Sequence, residues 1–181
     1  MSNAVYITAS LPFLKFGDTP PFSIADLRNR CSAVMTEEEL ATFDALVNGE
    51  ECDDPFVSAY MAHEIQLKNV VGHARAAAWG PEVRFTERQF PGYDVTFAKM
   101  VSDAFAKPNP LDREQDLDRA RFWLVDELAR GEDSMAAVYA FAIKLKICER
   151  WSRISAEAGN AAVLKVINDN DPAYKQERPE V

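Results

Sequence analysis

The stretch from Ser134 to Ile154 constrains this chain most. Met135 to Ile143 is an unbroken apolar run, and the apolar residues beyond it recur at helical spacing on two stripes. Val138, Phe141, Leu145 and Cys148 form one stripe; Ile143, Ile147, Trp151 and Ile154 form the other. A helix with one apolar stripe lies on a surface, whereas two stripes require neighbours on more than one side. The sequence therefore predicts a central rod with other helices packed around it. At nine residues the run is well short of the roughly twenty needed to span a bilayer.

The rest of the chain supplies those helices, and their ends are written in capping residues. Ser23 with Asp26 three residues on predicts a helix from Ile24 to about Ala33, and Thr36 before Glu37-Glu38-Glu39 starts another that stops at Asn48-Gly49. Asp54-Pro55 opens a long helix that ends at Trp79-Gly80-Pro81. Its apolar positions are Val57, Tyr60, Met61, Leu67, Val71, Ala74 and Ala78, with Glu64 as the one polar member of the stripe. Residues 80 to 93 read as loop, a weaker helix covers Asp94 to Ala106, and Asn109-Pro110 caps a helix from Leu111 to about Arg130, ending at Gly131. A last helix spans Ala161 to Ile167.

Ahead of these, Val5-Tyr6-Ile7-Thr8 favours an extended backbone, and Leu11-Pro12, Phe16-Gly17-Asp18 and Pro20-Pro21 break regular structure. The expectation is an all-α, single-domain bundle of six or seven helices. An extended, packed arm over 1–22 precedes helices over 23–170, and a flexible tail follows over 171–181.

The formal charge is −9, from 20 basic and 29 acidic side chains, which argues against a nucleic-acid binder. Residues 31 to 67 hold nine carboxylates and no Lys or Arg, much of which helix capping accounts for. Residues 144 to 153 carry Lys144, Lys146, Arg150 and Arg153 against Glu149 alone. This strip reads either as a solvated helix end or as a docking surface for an acidic partner. Three cysteines, Cys31, Cys52 and Cys148, sit at no metal-ligand spacing and suit free thiols of a reducing cytoplasm. The N-terminus shows no signal-peptide pattern, so the expected address is cytoplasmic.

Catalytic candidates are few. His63-Glu64 begins like a helical zinc-protease motif, but Leu67 stands where the second ligand belongs. On one helix His63 and His73 lie roughly 80° apart around the axis and about 15 Å apart along it. A metal-dependent hydrolase built on His63, Glu64 and His73 is thus the weakest reading. No metal, cofactor or catalytic residue is expected, and a helical adaptor that acts by docking is the alternative to the assignment that follows.

The segment Tyr6-Ile7-Thr8-Ala9-Ser10-Leu11-Pro12-Phe13-Leu14-Lys15-Phe16-Gly17-Asp18-Thr19-Pro20-Pro21-Phe22-Ser23 resembles the opening of a bacterial family whose genes lie within V/A-type ATP synthase operons. Asp126-Glu127-Leu128 and the run from Ala140 to Trp151 are similar to later parts of that family, and the long helix with Asn69 and Arg75 shares its character. The resemblance implies a non-catalytic role with that rotary ATPase, either as an assembly factor or as a stalk component in the place of the central-stalk C (or d) subunit, an all-helical socket between the rotor shaft and the proteolipid ring. Partners would be rotor-stalk or proteolipid-ring subunits, with peripheral association at the inner face of the membrane and no insertion. The chain is shorter than a full C subunit, and residues 80–110 fall outside the resemblance. Leu11, Phe13 and Phe16 of the arm, with Lys144, Lys146, Arg150 and Arg153, are the expected contact residues.

Overall fold

A computed structural model describes residues 4–130 and 134–170. Eight helices run in the order α1 (Ala4–Ser10), α2 (Ile24–Ser32), α3 (Glu37–Asn48), α4 (Pro55–Trp79), α5 (Val95–Phe105), α6 (Pro110–Leu128), α7 (Ser134–Ser152) and α8 (Ala156–Asn170), with no strand among the described residues. None of these helices is long and apolar enough to cross a membrane. The proposed 171–181 tail and the stop at Gly131 lie outside the described residues.

The caps act as the sequence requires. Ser23 and Thr36 each close a reciprocal box with Asp26 and Glu39, and the Asp54 and Asp94 carboxylates accept the backbone N–H groups of Val57 and Phe97 in the first turns of α4 and α5. Gly49 ends α3 in the left-handed region at φ 77°, a conformation that a side chain would strain.

The central rod is α7. Val138, Ala142 and Leu145 are fully buried and Tyr139, Ala140, Ile143, Ile147 and Cys148 nearly so, with α1, α2, α3 and α6 packed around it. A second cluster joins Leu67 and Val71 of α4, Phe97 and Val101 of α5 and Leu117, Ala120 and Leu124 of α6. Tyr60 and Leu128 touch both clusters, so α4 and α6 carry the join.

Three expectations need correction. Residues 4–10 form a helix where an extended strand-like start was expected, because helical geometry turns Ile7 onto α7, where it is buried. Preference for extended backbone is weak and yields to such burial. The second stripe stops at Trp151: α7 ends at Ser152, and Ile154 lies in the following turn, 48% exposed. The last helix starts five residues earlier than Ala161, with the Ser155 carbonyl accepting the Gly159 N–H in its first turn.

The loop over 80–93 is strapped to α4 rather than left loose. Asn69, buried, donates to the Arg88 carbonyl at 2.8 Å and accepts the Arg88 N–H at 3.0 Å. One turn earlier Gln66 does the same with Asp94, donating at 2.6 Å and accepting at 3.2 Å. Gly72 leaves room for the Phe85 ring; a Cβ there would overlap it.

Candidate functional site

The arm alternates inward and outward side chains. Leu14 is buried, and Phe16 wedges edge-on between Phe122 and Trp151 at centroid distances of 5.6 and 6.0 Å. The Asp18 carboxylate accepts the Lys15 N–H at 2.7 Å, Gly17 turns the chain at φ 91°, and the Cys148 thiol donates to the Lys15 carbonyl at 3.6 Å. Glu149, the one acid of the basic run, accepts the Ile24 N–H at 2.8 Å and holds the far end of the arm. Against this fixed backing Phe13 stands 81% exposed, and Val5 and Tyr6 on α1 are 72% and 73% exposed. Between α1 and α2 runs an apolar groove of about 310 Å³, walled by Tyr6, Ile7, Leu11, Leu27 and Val34. Of the three arm residues named from sequence, Phe13 faces solvent, Leu11 lines the groove, and Phe16 packs half-buried against the core.

The four basic residues of the run from 144 to 153 do not form one free strip. Lys144 is turned against α6, paired with Asp126 and lying over the Phe122 ring. Lys146 donates to the Val47 carbonyl at the C-terminal end of α3, where a cation complements the helix dipole. Arg150 reaches Asp118 at 3.1 Å and Glu114 at 3.0 Å. Arg153 is left largely in solvent, 3.7 Å from Glu149. The positive charge that stands out in sequence mostly fastens α7 to its neighbours.

What the sequence pattern conceals is a charged centre where α4, α6 and α7 meet. Asp118 on α6 is 1% exposed and accepts from Arg121 at 2.8 Å, from Arg150 and from the Trp151 indole N–H at 2.8 Å. Arg121 also grips Glu64 of α4 with two bonds of 2.6 and 3.1 Å. Burial by itself would lower the Arg121 guanidinium, but the hydrogen bonds and charge of Glu64 outweigh it and hold the group above its ordinary value. The same desolvation, with the Glu64 charge beside it, raises the Tyr60 hydroxyl. No buried polar side-chain atom among the described residues lacks a partner. Glu64, the one polar member of the α4 stripe, is the sequence signal that could have pointed here.

These groups form one wall of a cavity of about 660 Å³ between α4, α6 and α7. It continues into a second hollow of about 550 Å³ beside Trp79, Phe105 and Pro110, the two sharing Val71, Arg75, Glu114 and Leu117.

The hydrolase candidates are drawn apart. His63 hydrogen-bonds the Ala59 carbonyl and sits edge-on to Phe97, Glu64 is held by Arg121, and His73 pairs with Glu87 of the strap. Among the described residues no three His, Cys, Asp or Glu side chains are placed to hold a metal ion. Desolvation pushes the Cys31 thiol up to about 11 and raises Cys148 as well, which suits thiols that stay protonated. No family profile, curated protein or solved structure matches the chain.

Proposed function

We propose that the chain is a non-catalytic accessory or central-stalk-like (C/d-type) subunit of a V/A-type rotary ATPase, acting by docking other subunits through its N-terminal arm. One observation carries the docking reading: Val5, Tyr6 and Phe13 stand 72 to 81% exposed on a backbone that buried neighbours fix in place. Large exposed apolar side chains on a fixed backbone, with Tyr6 walling the apolar groove, are the composition of an interaction surface. The partner assignment rests on the resemblance of Tyr6 to Ser23 to a family encoded with ATPase genes, and the same segment builds the arm.

The test is recovery of the tagged full chain from its host cells, with the co-purifying proteins identified. Rotor-shaft or proteolipid subunits should accompany the wild type. Phe13→Asp with Tyr6→Asp should remove them while leaving the melting temperature unchanged, since neither side chain is in the core. An aromatic anchor at the centre of an interface contributes about 2 kcal/mol or more, so the loss should be at least about thirtyfold in affinity. Recovery of no rotor or proteolipid component refutes the assignment. A partner outside the ATPase, recovered through the same arm, replaces it with a free-standing helical adaptor.

A further inference from the structure

The long trough along α4 is a second surface, and its chemistry differs from that of the arm. Its lining runs on α4 from Tyr60 to Trp79, about 28 Å at 1.5 Å per residue. That is longer than a compact metabolite needs and suits a rod of five helical turns. The floor is apolar: Leu67, Val71, Ala74 and Ala78 follow one another at helical spacing, with Leu117 of α6 opposite. Ala74 and Ala78 are small, which allows another helix backbone to approach closely, and Ala78 is exposed.

The charge around this floor is opposite to that of the chain. The two hollows are lined by six cations, Lys68, Arg75, Arg113, Arg121, Lys146 and Arg150, and by three carboxylates, Glu64, Glu114 and Asp118, a balance of +3 in a chain of −9. Arg121 and Arg150 already hold all three carboxylates. Lys68, Arg75, Arg113 and Lys146 form no ion pair with any carboxylate among the described residues; Arg75 and Arg113 both lie against the Phe105 ring, and Lys146 meets a backbone carbonyl. Lys68 and Arg75 stand seven residues apart, two turns along the same side of α4.

We propose that this trough receives an acidic amphipathic helix from a partner protein. Its apolar stripe covers Val71, Ala74 and Ala78, and its carboxylates, spaced two turns apart, meet Lys68 and Arg75. The inference stands on the trough alone and holds whether or not the arm docks to an ATPase.

The experiment uses the full chain and two fluorescein-labelled 18-residue peptides. Both carry leucines on one helical face; the opposite face is glutamate in one and lysine in the other. The glutamate peptide should bind, more weakly as salt is raised, and the lysine peptide should not. Lys68→Glu with Arg75→Glu should weaken the glutamate peptide at least about tenfold and let the lysine peptide bind, because both sites are exposed and the reversal acts on the trough charge. Phe13→Asp should leave peptide binding unchanged, which separates this surface from the arm. Equal binding of the two peptides, binding of neither, or indifference to the charge reversal overturns the proposal. So does binding of anionic phospholipid vesicles without binding of the glutamate peptide.

Discussion

Replacing Asp118 with Ala tests whether the charged centre holds α4, α6 and α7 together. The substitution removes the acceptor for Arg121, Arg150 and the Trp151 indole at once. Stranding one partner of a buried ion pair costs about 3–5 kcal/mol. Two features place this case at the low end: Arg121 keeps its two bonds to Glu64, and the neighbouring cavity lets water reach the orphaned groups. We expect a loss of about 3 kcal/mol, or a fall in melting temperature of about 6–12 °C for a chain of this size. Urea unfolding followed by tryptophan fluorescence measures it, and the change should lie in the midpoint with an unaltered slope. The double variant Asp118→Ala with Arg121→Met supplies the control. Removing both charges leaves fewer stranded groups than the single changes imply, so the double variant should be less destabilised than the sum of the singles by about 1 kcal/mol or more. A loss below about 0.5 kcal/mol for Asp118→Ala, or strict additivity in the cycle, would refute the idea that this network clamps the three helices.

Leu145→Ala empties a fully buried site on the central rod and should lower stability by about 2–5 kcal/mol in the same urea experiment. Asn69→Ala removes both bonds to Arg88, should cost about 1–3 kcal/mol, and should open residues 80–93 to trypsin at Arg84 and Arg88 while α4 keeps its helical signal. Hydrogen bonds from Arg28 lower the Asp44 carboxyl, and the Lys107 hydrogen bond, assisted by Arg119, lowers Asp116. Groups with depressed folded-state values stabilise the fold above the ordinary carboxylate range near pH 4 and lose that contribution as pH falls through their lowered values, so stability should decline on acidification below about pH 4. An unfolding midpoint unchanged from pH 5 to pH 2 would contradict that.

The sequence by itself determined the starts of α2 to α6 and the identity of the rod. Capping residues and prolines act on the nearest backbone groups, so Ser23, Thr36, Asp54 and Asn109 set their helix starts wherever those helices end up. Two apolar stripes between Met135 and Trp151 demanded neighbours on several sides for any packing at all. Tertiary structure decided which side chains meet across helices. Phe13 and Phe16, three residues apart in one loop, are equally apolar in sequence, yet one faces water and the other packs half-buried against the core. Lys144, Lys146 and Arg150 formed a basic patch on paper, but their carboxylate and carbonyl partners come from α3 and α6, as far as 99 positions away. Val5 to Thr8 lost its extended preference to the burial of Ile7 against α7. Local chemistry is fixed by near neighbours along the chain, whereas the environment of a charge or a ring is set by whichever element folds against it.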